Sequence, residues 1–292
     1  MDRSARLRAF FARYVTRRAG VRDPRIERAF AAVPREPFAG PPPWSILPLG
    51  PWSGGPGYLR TPDDDPAFLY QDVLIALDPE RGINIGEPSL HARCLDALEL
   101  QEGEAVLHVG AGSGYYSAII AHLVGPGGRV HAFEIDPGLA ARAQRNLATL
   151  PWVTVEARSG IASDLPAVNA VYVSAGITQP DRSWLDALRP EGRLLFPLQS
   201  EQGAGGMLLA QKARPDSTAW PARFVSRSSF ILCRGLQDPG QGRRVAAAFA
   251  RGDWHEVRAL RLDSEPDASC WLRGKGWWLS TDAPDAPQLP DA

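Results

Sequence analysis

The sequence predicts an α/β fold: a doubly wound sheet with extra helices at its N-terminus and an α+β extension at its C-terminus. Three observations predict it. Strand-length apolar runs alternate with helical patterns between residues 105 and 198. A glycine-rich turn, Gly110-Ala111-Gly112-Ser113-Gly114, separates the first such strand from the helix after it. An acid, Glu134, closes the next strand.

The elements follow in order. Residues 1–28 carry nine arginines against Asp2, Asp23 and Glu27. Leu7, Phe10, Phe11, Tyr14 and Val15 are assigned to one helical face, so the segment reads as an amphipathic helix with a solvated basic side. A transit peptide or a binder of anionic surfaces is the alternative reading. A second helix starts at Asp23-Pro24, a capping acid followed by proline in the first helical position, and stops before Pro34. Residues 39–66 are crowded with proline and glycine and read as a long loop without regular structure, packed down through Trp44 and Trp52. A helix spans 88–99. Strand 105–110, helix 114–124, strand 129–134, helix 137–149, strands 152–157 and 169–174, helix 181–188 and strand 193–198 then set the rhythm of a mainly parallel sheet covered on both faces. Strands near 206–213 and 223–233 follow, with one or two short helices in 240–262 and a hairpin over 270–280 turning at Gly274-Lys275-Gly276. The last dozen residues read as frayed. Six of the nine tryptophans lie after residue 180 and read as core. The expected division is 1–68 as a covering segment, 69–215 as the core domain and 216–292 as the extension.

Composition excludes several classes. A net charge of −1 provides no global field for nucleic acid or an anionic membrane. Cys94, Cys233 and Cys270 are dispersed, forming neither a disulfide framework nor zinc-ligand spacing, which fits a reducing cytoplasm. The apolar runs fall short of the roughly 20 residues that span a bilayer. The expected protein binds no metal, nucleic acid or membrane, and is a monomer or homodimer.

The glycine turn carries the chemistry. Gly110 lets the chain turn sharply, Gly112 removes a Cβ so that a ligand can touch main chain, and the helix beginning at Gly114 offers free N–H groups. Ala111 and Ser113 complete the loop. A dinucleotide fingerprint wants its third glycine at position 115, where Tyr115 stands. That weakens a nicotinamide dehydrogenase. The Gly-X-Gly-X-Gly spacing suits a ligand without pyrophosphate and with an amino-acid tail, and Glu134 is placed to accept both ribose hydroxyls. Ribose, adenine and a methionine tail together describe S-adenosyl-L-methionine; a purely structural tight turn is the plain alternative.

From about Val33 to Ala213 the sequence resembles the protein-L-isoaspartate O-methyltransferase family. "VPREPF" (33–38) resembles its Val-Pro-Arg segment and "YQDVLIAL" (70–77) its Tyr-X-Asp segment. "VLHVGAGSGYYSAIIAHLVG" resembles its glycine motif, and "NAVYVSAGITQPDRSWLDALRPEGRLLFPL" (169–198) its later strand–helix–strand stretch. The resemblance implies a Rossmann-like SAM-dependent methyltransferase sheet, S-adenosyl-L-methionine as cofactor, and methyl transfer to an isoaspartyl or related carboxylate of a peptide or protein. It also exposes departures. The family's Thr-Ile-Ser-Gln-Pro turn is here Asn84-Ile85-Gly86-Glu87-Pro88, its strand acid is His108, and its Gly-Asp-Gly is Arg158-Ser159-Gly160. The tail beyond 215 and the loop at 39–66 depart as well.

The implied acceptor residues are Asn84, Gly86, Glu87 and His91. The implied cofactor residues are His108, Gly110, Ala111, Gly112, Ser113, Gly114, Glu134, Ser159 and Gly160. A carboxylate nucleophile attacking a sulfonium needs no base, because the two charges cancel as the bond forms. Methylation of another small-molecule or peptide hydroxyl or carboxyl, with His91 as base, is the alternative. A non-catalytic cofactor-binding module is a third reading. Tyr70 and Asp72 either line the substrate mouth or tie the preceding loop down.

Overall fold

A computed structural model describes residues 2–48, 57–213, 217–233, 235, 237–263 and 265–284. The chain divides into two compact units, Met1–Gly160 and Ile161–Ala292.

The first unit opens with helix α1, Arg3–Ala19, whose N-terminus is capped by the Asp2 carboxylate accepting from Ala5 N–H. Its buried stripe is Phe11, Ala12, Val15, Thr16 and Ala19. This corrects the expected face. At 100° per residue that stripe excludes Phe10 and Tyr14, which are exposed and stack on each other with ring centroids 6.3 Å apart. Helix α2, Pro24–Ala32, begins where expected, with the Asp23 carboxylate accepting from Arg25 N–H. Its Phe30 is buried 6.1 Å from the Phe11 ring. A single turn, α3, follows at Glu36–Ala39.

The expected structureless loop is also corrected. It contributes β1 (Ser45–Pro48) and β2 (Leu59–Arg60), which join β3 (Val73–Asp78) and β4 (Ile83–Asn84) in an antiparallel sheet of order β2-β1-β3-β4. Ile46 and Ile75 face each other across this sheet and are both buried, which supplies the apolar contact that the surrounding prolines obscured. Trp44 is buried as expected, its indole N–H donating to the Gly40 carbonyl at 2.8 Å. Trp52 lies outside the described residues.

Helix α4 (Pro88–Leu98) leads into the alternating region: β5 (Ala105–Val109), α5 (Tyr115–Val124), β6 (Arg129–Phe133), α6 (Pro137–Leu147) and β7 (Val153–Glu156). The strands are parallel in the order β5-β6-β7, with Val109 beside Phe133 and Phe133 beside Glu156. This register brings three strand ends level, so the segments that follow β5, β6 and β7 start from one edge.

The second unit contains β8 (Val168–Val173), α7 (Arg182–Ala187), β9 (Leu188–Gln199), β10 (Gly205–Gln211), β11 (Ala219–Arg227), α8 (Pro239–Arg251), β12 (Ala259–Arg261), β13 (Cys270–Arg273) and β14 (Trp278–Ser280). Its strands run in the order β8-β9-β10-β11-β12-β14-β13. β8 and β9 are parallel, whereas β10 onward is antiparallel, because the connection 200–204 is too short for a crossover. Two expectations fail here. The strand expected to 233 ends at Arg227, and Leu232 returns only as an isolated bridge to Gly176. The segment 240–262 is helical only as far as Glu256, after which β12 pairs with β11 and β14. The hairpin at 270–280 closes as expected, with Gly274 N–H donating to the Trp277 carbonyl at 2.9 Å. Trp184, Trp220, Trp271, Trp277 and Trp278 are buried. Residues 285–292, where fraying is expected, lie outside the described residues.

The corrected face of α1 gives a direct comparison. Phe11→Ala is expected to lower the unfolding free energy by about 3–5 kcal/mol and Phe10→Ala by less than about 0.5 kcal/mol. Urea denaturation followed by circular dichroism checks both; equal losses would restore the face read from the sequence.

Candidate cofactor and acceptor site

The β5–α5 turn is held by main chain first. Gly110 and Ala111 N–H groups both donate to the Phe133 carbonyl at the end of β6, at 2.9 and 3.1 Å. Gly112, at φ 58°, then donates its N–H to Glu134 Oε2 at 2.7 Å. A Cβ at Gly112 would meet only a Leu77 methyl at 3.5 Å, so glycine is required there by conformation, not crowding. The other Glu134 oxygen accepts from Asp136 N–H at 2.9 Å. Glu134 is buried with both oxygens engaged once, and each retains a second lone pair. Helix α5 begins at Tyr115, after Gly114, which offers no side-chain cap. Its first N–H groups therefore remain available to an anion. Ser113 Oγ is buried without a partner among the described residues.

Gly160 belongs to the same edge. A Cβ there would stand 2.8 Å from Val109 Cγ2 and 3.2 Å from Phe133 Cβ, which places it against the ends of β5 and β6. Ser159 precedes it, after Arg158, whose guanidinium lies 4.8 Å over the Phe133 ring. His108 lies in β5, two residues before Gly110. Its Nδ1 hydrogen-bonds Ser117 Oγ at 2.8 Å in the packing between β5 and α5, and burial pushes its pKa down to about 3. Ile135, next to Glu134 in sequence, is 48% exposed, an apolar surface that the sequence reading passed over.

The expected acceptor turn is built from β4 onward. Ile85 N–H donates to the Ile75 carbonyl at 2.9 Å, and Asn84 Oδ1 accepts from Gly86 N–H at 2.9 Å. Gly86 has φ 96°, and a Cβ there would lie 2.3 Å from His91 Nε2. The imidazole occupies the space that a serine side chain would need. His91 is buried and stacks on Tyr116 at 3.6 Å with a 6° interplanar angle, while Tyr116 Oη approaches the Gly86 carbonyl at 3.4 Å. Burial holds His91 well below the usual imidazole range, with the positive charge of Arg35 acting in the same sense. Glu87 starts α4 without a side-chain cap of its own; its Oε1 accepts from Ser89 Oγ at 2.9 Å. Burial pushes its carboxyl up, assisted by the negative charge of Asp72.

Arg35 was legible only as part of a motif, and its place is unexpected. It is fully buried, with Nη1 donating to the carbonyls of Leu69 at 2.6 Å and Gln71 at 3.0 Å. Its guanidinium lies 5.0 Å from the Phe11 ring and 5.5 Å from the Tyr115 ring. Tyr70 donates its hydroxyl proton to Glu36 at 2.5 Å and so ties the loop down. Among the described residues there is no cluster of three potential metal ligands, and no helix is long and apolar enough to cross a membrane.

Restoring a serine at Gly86 is expected to destabilise the protein by roughly 2–3 kcal/mol, from strain at positive φ plus overpacking. Most of the overpacking part should vanish in Gly86→Ser/His91→Ala, leaving a double-mutant coupling above about 1 kcal/mol. Additive losses in thermal unfolding would show that the two positions do not compete for space.

The histidines set an acid limit. Both folded pKa values are depressed, so each residue binds its proton less tightly when folded than when unfolded. Their contribution is complete above the unfolded value near 6.5 and is lost as pH falls towards the folded values. His91 and His108 alone give a slope of about 2.7 kcal/mol per pH unit inside that window, and His122 and His131, also lowered chiefly by burial, add to it in the same sense. Urea unfolding between pH 7.5 and 4.5 should therefore be level first and then fall; a level profile throughout would exclude neutral buried imidazoles.

Comparison with known proteins places this geometry. Residues 63–225 match the family model of protein-L-isoaspartate(D-aspartate) O-methyltransferase. A protein-L-isoaspartate O-methyltransferase of Aeropyrum pernix is 35% identical over 149 residues, covering 49% of this chain and 56% of that protein. A protein-L-isoaspartate O-methyltransferase 2 of Anaeromyxobacter sp. is 32% identical over 214 residues, covering 70% of this chain and 76% of that protein. The chain thus spans just over half the length of the Aeropyrum relative. A solved protein-L-isoaspartate O-methyltransferase superposes with a TM-score of 0.63 at 22% identity, covering 78% of this chain and 66% of that one. A Plasmodium falciparum structure described as a member of this group, in complex with S-adenosyl-L-homocysteine, gives a TM-score of 0.59 at 16% identity, covering 79% and 98%. At these identities the structures establish the fold, which is the expected Rossmann-like α/β class.

Proposed function

Because the chain belongs to the protein-L-isoaspartate O-methyltransferase family, we propose that it is an S-adenosyl-L-methionine-dependent O-methyltransferase acting on a carboxylate, of the isoaspartyl kind, in a peptide or protein. One observation carries the cofactor assignment. Glu134 is locked to the glycine turn at 2.7 Å while each of its oxygens keeps a lone pair, beside a helix start that has no side-chain cap. The residues fit the group. Glu134 accepts the ribose hydroxyls, the α5 N-terminus receives the carboxylate of the methionine tail, Gly112 permits close approach, and exposed Ile135 covers an adenine face. Ser159 and Gly160 flank the adenine from the end of β7. When bound, S-adenosyl-L-methionine supplies a methyl group activated by an adjacent sulfonium.

The chain's own task is then positioning. A carboxylate acceptor needs no proton removed, and orientation alone is able to contribute on the order of 7–11 kcal/mol. The acceptor turn agrees with this: His91 is neutral, buried and of low basicity, which suits packing better than proton abstraction. A different acceptor is the second reading, favoured by Gly86 and Glu87 where the family has serine and glutamine. A binding module without turnover is the third. Three cysteines dispersed along the sequence favour the cytoplasm as the working compartment.

Titration calorimetry with S-adenosyl-L-homocysteine should show binding, weakened roughly 10- to 150-fold in Glu134→Ala by loss of charge-assisted hydrogen bonds. Labelled cofactor should methylate an isoaspartyl peptide to a base-labile ester, and leave the aspartyl peptide unlabelled. Binding without turnover refutes the acceptor assignment. No binding refutes the cofactor.

A further inference from the structure

Helix α4 begins at the acceptor turn, and its first N–H groups need partners. Glu87, the residue in the capping position, does not supply one. The partner comes from 17 residues earlier: Ser89 N–H donates to Asp72 Oδ1 at 2.9 Å. The other oxygen of the same carboxylate is held by Arg18 of α1, with Nε to Oδ2 at 2.9 Å. The Asp72 side chain is only 7% exposed, so its bond to Ser89 N–H is shielded from solvent, while the Arg18 side chain, 51% exposed, leaves the ion pair open to screening.

From this geometry we infer that Asp72 is a positioning residue, which fixes the acceptor turn by capping α4 with one oxygen and anchors that cap to the N-terminal helix with the other. The inference rests on the reading of residues 84–88 as the acceptor turn. It assigns a function to the first helix beyond covering the core: Arg18 sets the orientation of the carboxylate that sets the turn. The glycine turn itself has no part in this chain of contacts; α5 meets the acceptor turn separately, through Tyr116 on His91 and Gly86. Asp72 also acts on Glu87 by charge. The groups facing Glu87 are Ser89 and Arg93 on α4, Asp72 before β3, Arg18 on α1 and Tyr116 on α5. Of these, Asp72 is the one that raises the Glu87 carboxyl through a negative charge.

Three variants separate the parts. Asp72→Asn keeps an oxygen for Ser89 N–H but loses the charge and the Arg18 pair. Asp72→Ala loses the cap as well, and Arg18→Ala loses the anchor alone. With an isoaspartyl peptide, acceptor KM is expected to rise roughly tenfold in Asp72→Ala and less in the other two, from the size of a lost cap. The kcat should change by less than about threefold and S-adenosyl-L-homocysteine affinity by less than about twofold, since neither group touches the nucleoside site. Carboxyl carbon NMR should show the Glu87 titration moving to lower pH in Asp72→Asn, because a neighbouring negative charge is gone. Hydrogen exchange should quicken over residues 84–90 in Asp72→Ala and stay unchanged over 110–114. Unaltered exchange together with an unmoved Glu87 titration would overturn the inference, as would an equal loss of acceptor and nucleoside affinity. If wild type fails to methylate the peptide, the acceptor reading falls, while exchange and NMR still decide the role of Asp72; if Asp72→Ala does not fold, Asp72→Asn and Arg18→Ala decide it.

Discussion

The carboxylate of Glu134 accepts a hydrogen bond from Gly112 N–H across 22 residues of chain, and the turn between β5 and α5, the proposed cofactor site, is organised around that contact. The bond requires the ends of β5 and β6 to be level, which the parallel register of Val109 with Phe133 provides. It requires Gly112 to turn its N–H inward, which positive φ allows. It also orients the acid: the second oxygen is fixed by Asp136 N–H, and the Asp136 carboxylate caps α6 through Gly138 and Leu139 N–H groups. Strand register, turn conformation and the start of α6 are thus one connected constraint, joined through the Glu134 and Asp136 carboxylates.

The same constraint explains why this part of the molecule was readable from sequence. Gly110, Gly112, Gly114 and Glu134 act through backbone conformation and chain order, both of which leave a linear trace. Helix α2 was readable for a similar reason, since Asp23-Pro24 states its own boundary. The small sheet formed by β1 to β4 was not, because its strands are two to six residues long and two lie among prolines. Its stability comes from pairings such as Ile46 with Ile75, twenty-nine positions apart, which no local pattern records. The face of α1 was misread for a different reason: Phe10 and Phe11 are equally apolar, and the choice between them is made by α2. His108 was grouped with the cofactor residues by its position in a motif; what no linear pattern records is the bond of its imidazole to Ser117.

Residues 84–88, the proposed acceptor turn, show how a substituted motif redistributes its polar groups. Asn84 supplies an oxygen to Gly86 N–H, so the turn is closed by a local side chain. The volume expected of a serine is filled instead by His91, stacked on Tyr116. The result is a turn whose polar groups are spent on structure, and whose remaining acid, Glu87, is drawn towards its protonated form by burial. Such a surface presents less fixed charge than its composition suggests.

Arg35 has a further effect on this region. Guanidinium does not lose its proton at any pH a folded protein survives, and here it is enclosed by Phe11, Tyr115 and two backbone carbonyls. Its charge depresses the basicity of His91 and favours the ionised forms of Tyr115 and Tyr116, against the larger opposing effect of burial on the tyrosines. The interior behind α1 therefore holds a standing positive potential, insensitive to acidity, and every ionisable side chain within its reach titrates against that fixed background.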